Sequence, residues 1–187
     1  MIHLILPTDK FIPNEFHNDF YEIDFAALYT SGKRLILTDL DNTLISYEES
    51  EPNKQIDDTF DALQRLGFEV ILVSNNIQAR VDVFKDGLNV EGYGNCRKPL
   101  KSGLNKALKN ASKEYSKDQI VVIGDQLMTD IFGANRFAAY SILVNPIKRK
   151  TEKWYTRINR RIEEKMLIKI KNKRKESYQQ LGLDKRS

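Results

Sequence analysis

Leu35-Ile36-Leu37-Thr38-Asp39-Leu40-Asp41-Asn42-Thr43-Leu44 is the stretch whose reading decides the fold of this chain. Its first three residues make a short apolar run suited to a buried strand. Asp39 and Asp41 follow at the strand's end, two residues apart, and side chains at i and i+2 share a face. Two dry, ionised carboxylates on one face repel each other. A divalent cation relieves that repulsion, and so does a division of labour between a nucleophile and an acid–base. Asp is also a covalent nucleophile toward phosphate, through an aspartyl-phosphate. Taken alone, the stretch reads equally well as a strand followed by an Asp/Asn turn.

Outward from it, strand and helix alternate. Ile56–Leu66 reads as a helix with Ile56, Phe60, Leu63 and Leu66 on one stripe and Gly67 as its stop. Phe68–Val73 is a second strand, ending in Ser74-Asn75-Asn76, and a helix through Ala79–Gly87 follows. Asn89–Tyr93 is a short third strand before Gly94-Asn-Cys-Arg-Lys98-Pro99, and Leu100–Asn110 is helical. Gln119–Ile123 is a fourth strand, ending in Gly124-Asp125, with a helix over Leu127–Phe137. Tyr140–Val144 is a fifth, stopped by Asn145-Pro146. This alternation predicts an α/β fold, a mostly parallel sheet with helices on both faces. Ligands of such sheets bind beyond the carboxyl ends of the strands.

Each of the first four strands delivers polar groups at that end: Asp39 and Asp41, then Ser74, then Lys98, then Asp125 with Asp130 five residues on. Each has a plain structural reading. Ser74 suits a turn or an N-cap, Lys98 a solvated loop, and the two late acids a helix N-terminus. Together, and in this order, they make a phosphoryl-transfer kit. It holds a nucleophilic carboxylate, a proton donor, a hydroxyl and an ammonium for phosphate oxygens, and acids for a metal.

Size and composition frame this reading. The chain has 187 residues, about one domain, with 41% apolar and 30% charged residues, as in soluble globular proteins. A single Cys, Cys96, excludes an internal disulfide framework, and two His exclude a multi-His zinc site. The thiol has no His partner evident in the sequence and reads as a packed or surface group. Met1-Ile-His-Leu-Ile-Leu-Pro7 lacks a basic lead and a long apolar region, so no signal peptide is expected. No apolar run approaches the roughly 20 residues of a membrane span. The expected location is cytoplasmic, extending to peripheral attachment at the inner face of the membrane.

Three parts are expected. Residues 1–33 read as an irregular lead-in packed on the body, with a short helix around Asp24–Tyr29. Residues 34–147 form the core. Residues 148–187 form a basic amphipathic helix and tail, with 15 Lys/Arg against 5 Asp/Glu, a net +10, whereas residues 1–147 carry a net −6. A basic tail on an acidic body points to an anionic partner, membrane or nucleic acid. Trp154, Ile158, Ile162, Met166 and Ile170, with Tyr155, read as one stripe. Lys153, Arg157, Arg160, Arg161 and Lys171 lie largely opposite, the pattern of an interfacial helix. The alternative is that the stripe packs on the body.

The motifs Asp-Leu-Asp-Asn-Thr (39–43), Ser74-Asn75, Lys98-Pro99 and Gly124-Asp125-Gln-Leu-Met-Thr-Asp130 resemble the four motifs of haloacid dehalogenase (HAD) superfamily phosphatases. Their phrasing is similar to subclass IIIA, the YqeG-type proteins. The resemblance implies a HAD-like Rossmannoid fold and a Mg²⁺-dependent phosphomonoesterase. Asp39 would be the nucleophile and Asp41 the acid–base. Ser74, Asn75 and Lys98 would bind phosphate, with Thr43 and Asp130 in support. Asp39, Asp125 and the Asp41 carbonyl would hold the metal. Organellar relatives act on phosphatidylglycerophosphate, which becomes the leading substrate. The intervals from Asp39 to Ser74 and from Ser74 to Lys98 are already filled by predicted elements, so no cap domain is expected. An open site suits a phosphate displayed on something large. Rival readings keep the chemistry but take a nucleotide, a phosphosugar or a nucleic-acid end, with the tail gripping nucleic acid. A third is a phospho-accepting signalling domain of the receiver type. A chain cut after Pro146 keeps all four strand-end motifs. It is expected to hydrolyse small soluble phosphomonoesters, provided the tail is not part of the core.

Overall fold

The computed structural model describes residues 7–152 and 154–186. The readings placed on Met1–Leu6 and Lys153, and the side chain of Tyr155, lie outside the described residues. Six strands form one sheet in the order β1-β6-β5-β2-β3-β4, and every pairing is parallel. They are β1 (Glu15–His17), β2 (Leu35–Thr38), β3 (Glu69–Val73), β4 (Glu91–Tyr93), β5 (Ile120–Gly124) and β6 (Tyr140–Val144). The central strands β2 and β5 are buried along their whole length. Continuous apolar runs such as Leu35-Ile-Leu are what a parallel sheet covered on both faces requires.

The helices are α1 (Phe25–Thr30), α2 (Lys54–Leu66), α3 (Gln78–Lys85), α4 (Lys101–Lys109), α5 (Phe132–Phe137), α6 (Trp154–Lys173) and α7 (Lys175–Gln180). Helix α2 shows how local chemistry sets them. The Asn53 side chain accepts the Ile56 N–H at 3.0 Å, Ile56, Phe60 and Leu63 are buried, and Gly67 ends the helix at φ 100°. Leu66, expected on the buried stripe, is 40% exposed beside that stop. One core face packs Ile36, Leu72, Phe60 and Val81; the other packs Leu37, Val73, Leu104 and Phe137. Between Asp39 and Ser74 the chain makes only a loop, α2 and β3. Between Ser74 and Lys98 it makes only α3 and β4. No cap domain is inserted in either interval.

Two expectations need correction. The lead-in is not merely irregular: Glu15–His17 pairs with Ile142–Val144 and forms the sheet edge. The tail's stripe is not one face: its start is exposed and its end packs on the body, the alternative the sequence left open. Steps of four residues advance a helical face by about 40° each, so Trp154 and Ile170 stand about 160° apart. Trp154 is accordingly 73% exposed, while Met166 and Ile170 are fully buried. Those two, with Leu183, pack against Phe11, Leu127, Ile131 and Leu143 in a third core. The face of α6 turned to the body carries Thr156, Arg160, Glu163, Met166 and Ile170. Arg160, expected on the outer face, is thus buried. Cys96 is a buried free thiol, and its burial pushes its pKa up.

Candidate active site

The carboxyl ends of β2, β3 and β5, with the loop after β4, open onto one narrow crevice. Asp39, Asp41, Ser74, Asn75, Lys98, Gln126 and Thr129 line it. The Lys98 ammonium lies 2.8 Å from Asp39 Oδ1 and 2.6 Å from Asp130 Oδ1. Asp39, Asp125 and Asp130 are buried and can offer carboxylate oxygens within 4.8 Å of one another. Asp130 arrives on a π-helical turn, Leu127–Ile131, a distortion that recurs at functional sites. Its Oδ2 accepts the Gln126 N–H at 3.0 Å. This approach requires a glycine at 124, where a Cβ would stand 2.3 Å from Asp130 Cγ.

The electrostatics follow from crowding. Burial, then the neighbouring Asp130 and Asp125, push the Asp39 carboxyl well above the usual range, and Lys98 only partly offsets them. Burial likewise raises Asp125 to about 6, against the pull of Arg160. Lys98 keeps its proton more firmly than usual, because Asp130 and Asp39 together outweigh the cost of burying its charge. Counting the ion pairs around the crevice, five carboxylates (Asp39, Asp125, Asp130, Glu152, Glu163) face three cations (Lys98, Arg160, Arg186). With every one of these groups ionised, two negative charges would remain, which one divalent cation would neutralise. The Gln126 Oε1, more than nine-tenths buried at the crevice, has no hydrogen-bond partner. An all-oxygen donor set without His or Cys fits a hard cation.

The expected residues do not all stand as anticipated. Asp41 is a crevice residue, but its carboxylate is held elsewhere: Oδ1 by Arg80 Nε at 2.6 Å and Oδ2 by Asn76 at 3.0 Å. The third carboxylate of the metal-competent cluster is Asp130, beside the Asp39 and Asp125 expected there; Asp41 was expected to offer its backbone carbonyl. Thr43, expected to orient Asp41 or the turn, points its hydroxyl to Asp125 Oδ1 at 3.5 Å, too long for a firm hydrogen bond. The side chain of Asn75, expected on phosphate, is engaged by the Lys98 peptide. It donates to the Lys98 carbonyl at 3.0 Å and accepts the Lys98 N–H at 2.6 Å. It holds the lysine loop in place. Ser74 Oγ accepts the Asn76 N–H at 3.0 Å while lining the crevice.

Sequence reasoning missed Arg80, Asn76, Tyr47, Gln126, Asn159 and Arg160. Arg80 lies four residues after Asn76, so a charged side chain one turn into the helix after the second motif was the available signal. Arg160 was hidden among the tail's other basic residues. Asn42 ties that tail to the first motif. It adopts φ 64°, tolerated by Asn, accepts the Lys148 N–H at 3.2 Å and donates to Glu152 at 3.2 Å.

The raised carboxyl of Asp125 yields a prediction. In the metal-free fold the ionised form is the costly one. Its pKa is about 6 when folded and in the ordinary Asp range when unfolded, so the free fold loses stability as pH rises through that interval. A divalent cation restores the loss and must displace a proton below it. The Tm increase given by Mg²⁺ should therefore be larger at about pH 7.5 than at about pH 5.5. Differential scanning calorimetry at both values checks this, and an equal increase at both would count against the carboxylate cluster as the cation site.

Comparison with known proteins gives three findings. Residues 1–148 match the family described as mitochondrial PGP phosphatase. The chain is 35% identical over 163 residues to the probable phosphatase YqeG of Bacillus subtilis, covering 87% of this chain and 93% of that protein. Among solved structures, it is similar to an uncharacterized protein from Listeria monocytogenes serotype 4b, with TM-score 0.49 and 16% identity over 64% of this chain and 85% of the other. It is also similar to the putative HAD-hydrolase YfnB from Bacillus subtilis, bound to magnesium, with TM-score 0.42 and 20% identity over 57% of this chain and 54% of that one.

Proposed function

This chain belongs to the PGP phosphatase family and is a YqeG-type HAD phosphatase, and from that premise we propose a Mg²⁺-dependent phosphomonoesterase that dephosphorylates phosphatidylglycerophosphate. Membership in a phosphatase family removes the signalling-domain alternative. The observation that carries the catalytic reading is the grouping at Lys98, whose ammonium lies between Asp39 and Asp130 at 2.8 and 2.6 Å, with Asp125 alongside.

In this reading Asp39 attacks the phosphorus in line with the leaving alkoxide and becomes an aspartyl-phosphate. Asp41 gives the alkoxide its proton and then takes one from the water that hydrolyses the intermediate, help worth about 10²–10⁴-fold. Arg80 and Asn76 hold its carboxylate in the present arrangement, so it must turn from them to reach the leaving oxygen. Ser74 and Lys98 bind the transferred phosphoryl oxygens. Asp39, Asp125 and Asp130 would hold the cation. When bound, it offsets charge on the phosphoryl group and the carboxylates.

Substrate class rests on access and surface. Without a cap, the crevice opens directly to what lies above the sheet. Trp154, Ile158 and Ile147 are exposed around the start of α6, and Thr156 and Asn159 on its first turns line the crevice. Arg149, Lys150 and Arg157 are exposed in the same stretch of chain. Exposed apolar side chains with basic neighbours in sequence, on the segment that sends Thr156 and Asn159 to the crevice, suit an anionic lipid surface. No helix among the described residues is long and apolar enough to cross a membrane, so the attachment proposed is peripheral.

The test is a phosphate-release screen with Mg²⁺ across phosphatidylglycerophosphate in vesicles, nucleotides, sugar phosphates and phosphorylated nucleic-acid ends. The lipid should be preferred by at least about 10-fold in kcat/KM, a difference of about 1.4 kcal/mol in transition-state binding. Exhaustive chelation should remove activity and Mg²⁺ should restore it. Preference for a soluble phosphate would overturn the lipid assignment, and full activity after chelation the metal assignment.

A further inference from the structure

The segment beyond the family-matched residues 1–148 supplies charged groups to the carboxylate cluster. From α6, Arg160 reaches Asp125 twice: Nη1 donates to its backbone carbonyl at 2.7 Å, and Nη2 pairs with Oδ2. Glu152 braces the same guanidinium, accepting from Nε at 2.9 Å and Nη2 at 2.7 Å. Glu163 accepts the Leu127 N–H at 3.1 Å with one oxygen, and the other pairs with Arg186. Arg186 itself donates to the Asp125 carbonyl at 2.5 Å and the Val144 carbonyl at 3.0 Å. The Asp125–Leu127 stretch is therefore gripped from the C-terminal side at its carboxylate, its carbonyl and a following amide.

We propose that Arg160 is a positioning residue of the phosphatase centre, which fixes the Asp125 carboxylate through Oδ2 and leaves Oδ1 for the cation. Two features separate this from surface pairing. Arg160 and all three acids around it are buried, and the contact is a fork on one residue's carboxylate and carbonyl, a geometry a lysine cannot reproduce. Holding one carboxylate oxygen from behind is how neighbours of metal ligands orient them, and their loss typically costs 10–100-fold in metal affinity. The alternative role for the guanidinium is that of a competitor occupying the carboxylate in place of the cation. It predicts the opposite sign.

This inference rests on the metal-dependent reading above, and the experiment keeps the two apart. Mg²⁺ binding is measured by calorimetry, and Mn²⁺ binding by electron paramagnetic resonance, on the full chain as wild type, Arg160→Met, Arg160→Lys and Glu152→Gln. Circular dichroism melts are recorded for each. The expected result is folded variants with cation affinity lower by about 10–100-fold in Arg160→Met. Arg160→Lys should recover it only in part, and Glu152→Gln should fall between. Unchanged or tighter binding in folded Arg160→Met overturns the positioning role and leaves the phosphatase reading standing. A wild type that takes up no cation overturns the positioning role and the metal-dependent reading together. Unfolding of every variant overturns the proposal in favour of a purely structural ion pair.

Discussion

Asp39→Asn is expected to lower turnover by on the order of 10⁴-fold or more, because a neutral amide cannot form the acyl-phosphate. The fold should survive the change. Lys98 retains Asp130 at 2.6 Å, and the lost carboxylate is one whose charge burial and its neighbours oppose. The Tm of the metal-free protein should therefore stay level or rise, the usual relation between an active-site charge and stability. Asp41→Asn should also cost orders of magnitude, yet allow phosphate to accumulate on Asp39. Phosphate release from a small soluble phosphomonoester, with trapping of phosphorylated protein, distinguishes the two variants. Substantial turnover by purified Asp39→Asn would sink the covalent mechanism.

The second large effect is expected on cutting the chain after Pro146. Met166, Ile170 and Leu183 are each 0–1% exposed. Burying a side chain of this size contributes about 1.5–3 kcal/mol, so losing three costs roughly 5–9 kcal/mol. That is comparable with the roughly 5–15 kcal/mol that holds a whole domain together. The cut also bares Phe11, Leu127, Ile131 and Leu143 and strips Asp125 of Arg160 and Arg186. The shortened chain should show no cooperative melt and no hydrolysis even of a soluble substrate. The four strand-end motifs had suggested that it would keep that activity. A truncated protein that melts like the full chain and hydrolyses a soluble phosphomonoester would show that the tail's contacts are dispensable.

What was legible in the sequence was local. The runs Leu35–Leu37 and Gln119–Ile123 announce buried strands because a strand covered on both faces must be apolar throughout. The residues at their ends follow within a few positions. What escaped depends on partners far along the chain. Glu15–His17 carries no apolar run, and only its pairing with residues 142–144 makes it a strand. Arg160 looks like any solvated charge until Asp125, 35 residues earlier, is placed beside it. The supposed stripe from Trp154 to Ile170 failed on arithmetic: a spacing of four drifts around a helix, whereas the buried set Thr156, Arg160, Glu163, Met166 and Ile170 mixes steps of four and three, which keeps it on one face. Asn75 shows the same limit at short range. Its place in the motif was legible, but its use as a brace for Lys98 depends on the conformation of the loop.

The edge strand β1 has a consequence for how the protein is made. Glu15 waits for Ile142, and Phe11 waits for Phe132, on which its ring stacks at 4.4 Å. Ribosomes add about 5–20 residues each second, so the gap between Glu15 and Ile142 lasts roughly 6–25 seconds. During that time a nascent chain carries Phe11 and Phe16 without the strand and helices that cover them. It already holds Asp39, Asp41 and Ser74 but not the acids and guanidinium that complete their surroundings. Chaperones that grip exposed aromatics should therefore meet this protein near its amino terminus, while it is still attached to the ribosome.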